Sequence, residues 1–207
     1  MLVVVDYGLG NLRSVQKAFE RIKIDSAVSG EPKKILNASK LVLPGVGHFA
    51  AGMKNLKEKG IKEALNEAVL GKKIPILGIC LGMQLMTLYS EEGDCAGLGW
   101  IKGKTSLIKI NNNKCRTPLK VPHIGWNGIN IERENSLING QISKERFYFV
   151  HSFAVMCEDK EDEIASTEYG ISFSSAFSKG NIAGVQFHPE KSYGQGIQLL
   201  RNFVENY

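Results

Sequence analysis

Ile74-Pro75-Ile76-Leu77-Gly78-Ile79-Cys80-Leu81-Gly82-Met83-Gln84 is the stretch whose reading decides the fold. Ile74 to Ile79 is an apolar run of strand length, and Met83, Leu85 and Leu88 beyond it read as a short helical stretch. A strand that enters a helix through Gly-Ile-Cys-Leu-Gly has the outline of a nucleophile elbow with sulfur in place of oxygen. Such a sharp turn needs small flanking residues to relieve crowding. At that turn the Cys80 thiol would sit near a helix N-terminus, where backbone N–H groups and the helix dipole favour a thiolate and can bind a developing oxyanion. The bland reading, a small buried hydrophobe, is the commoner fate of a free cysteine.

Working outward toward the start, Leu2 to Val5 is a β-branched apolar run. The turn Gly8-Leu9-Gly10-Asn11 then leads into Leu12, Val15, Phe19 and Ile22 at helical spacing. Lys40 to Leu43 reads as a buried strand stopped by Pro44-Gly45, and Met53, Leu56, Ile61, Leu65 and Ala68 as one helical stripe. Repeated strand-to-helix units predict an α/β fold, an open and mostly parallel sheet flanked by helices. From about residue 99 the texture changes to short runs and turn signals such as Asn111-Asn112-Asn113. Strands are predicted at Phe147 to Val150, Ile171 to Phe177 and Ile182 to Phe187, as additional antiparallel strands with few helices. Ile197, Leu200, Val204 and Tyr207, after Gly194 and Gly196, predict a final amphipathic helix.

Composition limits the function classes. The 207 residues, 43% hydrophobic and 23% charged, suit one domain spanning 1–207 with a real core. The absence of a run of about eighteen apolar residues, and of a basic-then-apolar start, predicts a soluble cytoplasmic protein. The net charge of +5 comes from Lys and Arg scattered among acidic residues, without aromatics interleaved, which argues against a nucleic-acid surface. Cys95, Cys115 and Cys157 lack the elbow context of Cys80 and read as structural. Four cysteines without a C-x-x-C pair fit neither a disulfide scaffold nor zinc. His48, His123 and His151 lack ligand-type spacing, so no metal site is expected. Asp6-Tyr7-Gly8-Leu9-Gly10 suggests a dinucleotide fingerprint, but Arg13 stands where its third glycine belongs.

A reactive thiol needs a base, and His188 is the best placed histidine. Phe187-His188-Pro189-Glu190 follows an apolar strand, and strand ends of open α/β sheets are where sites gather. Pro189 pushes His188 toward extended geometry, in which residues two apart share a side, so Glu190 can reach the imidazole. A carboxylate on one ring nitrogen fixes the tautomer and leaves the other to take the thiol proton. The outline is a Cys80-His188-Glu190 triad; the bland alternative for His188-Pro189-Glu190 is a strand-terminating turn.

Gly78-Ile79-Cys80-Leu81-Gly82-Met83-Gln84 with the later Phe187-His188-Pro189-Glu190 resembles the class I, triad-type glutamine amidotransferases. Val5-Asp6-Tyr7-Gly8, Asn11-Leu12, Pro44-Gly45-Val46-Gly47-His48-Phe49, Gly125-Trp126-Asn127, Tyr148-Phe149-Val150-His151-Ser152-Phe153 and His188 to Ser192 resemble the glutaminase subunit of imidazole glycerol phosphate synthases. The resemblance implies that Cys80 attacks the side-chain amide of glutamine, His188 protonates the departing ammonia, and water then hydrolyses the thioester. By the same resemblance Gly47, Gln84, Glu92, His151, Ser152 and Phe153 hold glutamine. The amides of Leu81 and, after a peptide flip, Val46 form the oxyanion hole.

No cofactor is expected, and hydropathy and charge already argue against a membrane or nucleic-acid partner; the resemblance adds neither. It implies a heterodimer with a (β/α)8 barrel cyclase that takes ammonia through a tunnel, with Asn11, Trp126, Asn127 and Lys191 facing that partner. The products would be imidazole glycerol phosphate and an aminoimidazole carboxamide ribotide. The bland reading of Trp126 is an ordinary packed aromatic. Two alternatives stand beside this one. The first is a paralogue feeding ammonia to an amidino- or amino-sugar synthetase of surface polysaccharide, kept open by Gly99-Trp100 and Pro122-His123-Ile124. The second is a stand-alone γ-glutamyl cysteine hydrolase. A binding protein that has kept only the fold would lack Cys, His or Glu, and all three are present.

Overall fold

The computed structural model describes residues 1–112, 118–139, 142 and 146–207; Cys115 and Asn113, the end of the expected turn, lie outside them. The first half alternates strand and helix: β1 (Leu2–Val5), α1 (Leu12–Arg21), β2 (Ser26–Ser29), α2 (Pro32–Leu36), β3 (Lys40–Gly45), α3 (Phe49–Glu58), α4 (Ile61–Asn66), β4 (Ile76–Cys80) and α5 (Leu81–Leu85). The second half is strand-rich: β5 (Thr87–Ser90), β6 (Cys95–Ala96), β7 (Ile101–Leu107), β8 (His123–Gly128), β9 (Asn130–Ile131), β10 (Arg146–His151), β11 (Phe153–Cys157), β12 (Glu163–Glu168), β13 (Ser172–Lys179) and β14 (Ile182–Val185). α6 (Tyr193–Asn206) closes it.

The sheet runs β2-β1-β3-β4-β14-β13-β11-β7-β5-β6, with β12 attached to β13 and β9 to β12. From β2 to β14 every pairing is parallel; β13, β11 and β7 continue it antiparallel, β5 joins β7 in parallel and β6 joins β5 antiparallel. β8 and β10 form a separate antiparallel pair. The architecture is the expected α/β sheet, parallel at its centre and flanked by helices, with antiparallel strands added in the C-terminal half.

Burial explains why the central strands read as unbroken apolar runs. Along β1, Leu2 and Val4 enter the core shared with Val15 and Phe19 of α1 and with Leu199, Leu200 and Phe203 of α6. Val3 and Val5 enter the opposite core, with Phe49 and Leu56 of α3, Ile61 and Leu65 of α4 and Leu85 of α5. Side chains alternate across a strand, so a sheet covered on both faces needs apolar residues at every position.

Several local expectations change. β3 does not stop before Pro44 but includes Pro44 and Gly45, which pair with Ile79 and Cys80 at the end of β4, where the missing N–H of proline is tolerated. The stripe from Met53 to Ala68 is not one helix: Gly60, at φ +66, separates α3 from α4, and Glu67–Gly71 follows as π-helix. α5 ends at Leu85, and Leu88 lies exposed in β5. β2 and α2 were not anticipated. Ser26–Ser29 is a partly exposed edge strand, so it lacks the apolar run of its buried neighbours.

Candidate active site

Cys80 ends β4 and Leu81 begins α5, with no loop between them. The turn is made on Cys80 itself, at φ +53 and ψ −111, a conformation that side-chain-bearing residues rarely adopt. Gly78 and Gly82, two residues to either side, permit this because they have no Cβ. A Cβ on Gly82 would fall 1.7 Å from the Leu43 carbonyl oxygen, and one on Gly78 would meet the backbone of Met83 at 2.8 Å. The expected elbow is present, with one change in its electrostatics. α5 spans only Leu81–Leu85, so a helix macrodipole contributes little and the charge facing the sulfur comes from His188.

His188 follows β14 in extended geometry, φ −102 and ψ 95, and starts a 3-10 turn over Pro189–Lys191. Glu190 therefore reaches it from a tight turn rather than along an extended segment, and its Oε1 lies 2.8 Å from His188 Nδ1. The backbone is pinned from β10. His188 N–H donates to the Tyr148 carbonyl at 2.9 Å, and Ser192 Oγ, which donates to the His188 carbonyl at 2.6 Å, accepts from Tyr148 N–H at 3.0 Å. His188 Nε2 and Glu190 Oε2 are buried without a hydrogen-bond partner among the described residues. Burial works against a charged imidazole. The anionic sulfur of Cys80 and the Glu190 carboxylate outweigh it, and His188 is raised to about 10.

A cleft of about 410 Å³ opens over the sulfur, lined by Val46, Gly47, Cys80, Leu81, Gln84, Glu92, His151, Ser152, Phe153 and Lys191 among others. Every glutamine-holding position expected from the sequence therefore borders one cavity, together with both expected oxyanion donors. Gly47, at φ +114, lets the chain leave β3 and pass over the cleft. Glu92 Oε2 accepts from Phe49 N–H at 2.7 Å, tying the turn after β5 to the start of α3. His48 Nδ1 caps the same helix by accepting from Ala50 N–H at 3.2 Å.

Behind the cleft lies a buried polar array. The Phe153 carbonyl accepts from Gln84 Nε2 and from His151 Nδ1, both at 2.8 Å. His151 Nε2 faces His123 Nδ1 at 3.0 Å, and Asn127 Nδ2 approaches His123 Nε2 at 3.5 Å. Burial lowers both imidazoles, His123 to about 4 and His151 to about 3, so both are neutral. A carbonyl only accepts, so His151 carries its hydrogen on Nδ1 and His123 must donate from Nδ1. Sequence reading left His123 as an ordinary hydrogen-bonding histidine, which is its setting. It missed Gln186, whose only signal was a lone amide inside an apolar strand.

Of the four expected partner-facing residues, Lys191 borders the cleft and Asn11, Trp126 and Asn127 do not. Asn11 is exposed at the start of α1, where Oδ1 accepts from Ser14 N–H at 3.4 Å. Trp126 is half-buried, stacked on the exposed Tyr193 at 5.0 Å between centroids and edge-on to Tyr148. Lys191 Nζ stands 5.6 Å over the Tyr148 ring. Trp100, which had kept a different paralogue open, is buried and donates Nε1–H to Asn66 Oδ1 at 2.9 Å, a packing role.

The sulfur, imidazole and carboxylate are thus brought together under a cleft of amino-acid size, and the family model for glutamine amidotransferase class-I matches residues 3–207. The chain belongs to the class-I glutamine amidotransferases. This amidotransferase is 47% identical over 205 residues to the imidazole glycerol phosphate synthase subunit HisH 2 of Methanococcus maripaludis, covering 99% of each chain. It is 48% identical to subunit HisH 1 of Campylobacter jejuni, again covering 99% of each. The crystal structure of a glutamine amidotransferase from Thermotoga maritima shares the fold, with a TM-score of 0.63 and 18% identity over 100% of this chain and 81% of that one. No helix among the described residues of this class-I amidotransferase is long and apolar enough to cross a membrane.

Proposed function

We propose that this chain is the glutaminase subunit of imidazole glycerol phosphate synthase, releasing ammonia from glutamine for a separate cyclase subunit in histidine biosynthesis. The observation that carries the chemistry is the Nδ1–Oε1 contact of 2.8 Å between His188 and Glu190, with the other ring nitrogen left for the Cys80 sulfur. Full-length identity to synthase subunits of that name supports the choice of pathway.

The steps are those the family resemblance implies, and the contact between His188 and Glu190 supports them. The Cys80 thiolate attacks the side-chain carbonyl carbon of glutamine, and the carbonyl oxygen becomes an oxyanion held by the N–H of Leu81 and that of Val46 once its peptide turns. Collapse breaks the C–N bond, and the His188 imidazolium gives its proton to the leaving nitrogen, releasing ammonia and leaving a γ-glutamyl thioester. Neutral His188, steadied by Glu190, takes a proton from water, which attacks the thioester. Glutamate leaves and the thiolate–imidazolium pair is restored. Gly47, Gln84, Glu92, His151, Ser152 and Phe153 line the space for the amino-acid end of the substrate.

Ammonia in neutral water is mostly protonated and no longer a nucleophile, so a tunnel to the acceptor is needed. The partner is a (β/α)8 barrel cyclase, and Asn11, Trp126, Asn127 and Lys191 face it. The aromatic stack of Trp126 and Tyr193 suits the centre of such an interface.

Glutamate release by the purified chain, alone and with the cyclase of its source organism and that enzyme's ribonucleotide, tests the reading. Slow release that rises steeply with both is the expected result, and Cys80→Ala should abolish it while added ammonium salt at high pH still feeds the cyclase. Hydrolysis that the cyclase neither binds nor stimulates would redirect the assignment to a sugar-modifying synthetase. Fast release without any partner would redirect it to a free-standing hydrolase.

A further inference from the structure

Gln186 sits in the apolar segment that ends at His188 and is completely buried, so its carboxamide needs partners within the protein. It has one at each end. Gln84 Nε2 lies 3.0 Å from Gln186 Oε1, and Gln186 Nε2 lies 3.8 Å from Cys80 Sγ.

The orientation of both amides follows from a single acceptor. The Phe153 carbonyl has no hydrogen to give, so the Gln84 atom 2.8 Å from it is the amide nitrogen. The second hydrogen of that nitrogen points to Gln186, which must present its oxygen there. The Gln186 NH2 group is then left facing the sulfur. From another direction Sγ lies 3.9 Å from the Val150 carbonyl, which a thiol can donate to and a thiolate cannot. The array therefore holds one interaction suited to each protonation state of the sulfur.

The geometry points to Gln186 as a further catalytic group: its carboxamide N–H donates to the Cys80 sulfur, stabilising the thiolate and fixing its direction of attack. This assignment rests on the reading of Cys80 as the nucleophile. Among the described residues, the titratable groups around the sulfur are His188 with Glu190 behind it, beyond β14, Tyr7 after β1, and His151, Glu92 and Lys191 along the cleft. Gln186 is neutral, so it acts on the sulfur without titrating itself.

The test compares wild type with Gln186→Glu, which keeps the acceptor for Gln84 but loses the N–H, and with Gln186→Met, which buries no second charge. Iodoacetamide alkylation is followed against pH by mass at the Cys80 peptide, beside kcat and KM for glutamine and a thermal melt. The alkylation midpoint should rise by about one pH unit and kcat should fall about tenfold with KM unchanged, in each variant that folds. A midpoint and a kcat within about twofold of wild type in a folded variant would overturn the assignment. Should neither variant fold, the wild-type protein decides: the Gln186 side-chain amide resonances should shift as Cys80 is titrated, and constancy would overturn the assignment. Cys80→Ala separates this outcome from the parent reading. Retained glutamine hydrolysis in that variant would remove Cys80 as nucleophile while leaving the alkylation result intact as a statement about the sulfur.

Discussion

His123 Nδ1 and His151 Nε2 stand 3.0 Å apart across the β8–β10 pair, both rings buried; His151 can take a second proton only by giving up that contact, and His123 only at Nε2, against the Asn127 amide nitrogen. The register that pairs residue 123 with residue 151 brings them together, and their neutral state is held by burial.

Stability should therefore fall early on acidification. The folded values, about 4 and about 3, lie below the unfolded value near 6.5. As pH drops below about 6.5 the unfolded chain binds protons that the native state refuses, so stability is lost at up to about 1.4 kcal/mol per pH unit for each ring. His188, raised to about 10, acts with the opposite sign: its contribution is complete below about 6.5 and is lost as pH rises toward 10. His123→Gln keeps a donor for His151 Nε2 but does not titrate. Urea midpoints between pH 7 and pH 5 should decline less steeply in this variant, and an unchanged slope would dispose of the idea.

The strain at Cys80 gives a prediction with an inverted sign. At an ordinary position glycine is less stable than alanine by about 0.5–1 kcal/mol. At φ +53 and ψ −111 the order should reverse, with Cys80→Gly more stable than Cys80→Ala by about 1 kcal/mol, since relief of the backbone outweighs the added chain entropy. Both variants should be inactive toward glutamine. Paired denaturation curves decide it, and alanine proving the more stable would mean that the elbow stores no strain.

How far the sequence disclosed all this differs from place to place. The elbow was legible because Gly78 and Gly82 have no tolerable substitute: the Leu43 carbonyl occupies the space a side chain on Gly82 would need. The central strands were legible because burial on both faces demands apolar residues at each position, and β2, at the edge, was hidden because that demand lapses there. The stripe from Met53 to Ala68 kept helical period across a break set by one residue, Gly60, and periodicity does not register a single positive φ. Gln186 was invisible for a different reason. Its meaning comes from Gln84, Phe153 and Cys80, three segments far apart in the chain that only the fold assembles.

Glu92 connects stability with substrate binding. Its Oε2 takes the Phe49 N–H at 2.7 Å, satisfying a donor at the start of α3, while the same side chain lines the cleft. A carboxylate there would attract the ammonium group of an amino-acid substrate. Glu92→Ala should lower unfolding free energy by about 1 kcal/mol, the usual cost of a lost N-terminal cap, and raise KM for glutamine about tenfold. Steady-state kinetics with a denaturant melt would read both. A loss of stability with KM unchanged would reduce Glu92 to a cap.

Tyr7 supplies the remaining test. Its hydroxyl is buried without a hydrogen-bond partner among the described residues, at the end of β1, so close to Gly45 that a Cβ on that glycine would lie 2.3 Å from the phenolic oxygen. Burial, and then the charge of Cys80, raise the phenol, which keeps it neutral. An unpaired buried hydroxyl costs about 1–3 kcal/mol, so Tyr7→Phe should raise the urea midpoint by an amount equivalent to about 1 kcal/mol. The ring packing is retained, because the phenyl group still fills the core beside Phe49 and Leu85. If the hydroxyl stays unpaired throughout the reaction cycle, kcat for glutamine will be unchanged. A stabilised protein with a reduced kcat would instead mean that the hydroxyl gains its partner during turnover. Gly45, against which the phenol stands, lies one residue before Val46, whose amide is proposed for the oxyanion hole, so a turn of that peptide is the change such a result would point to.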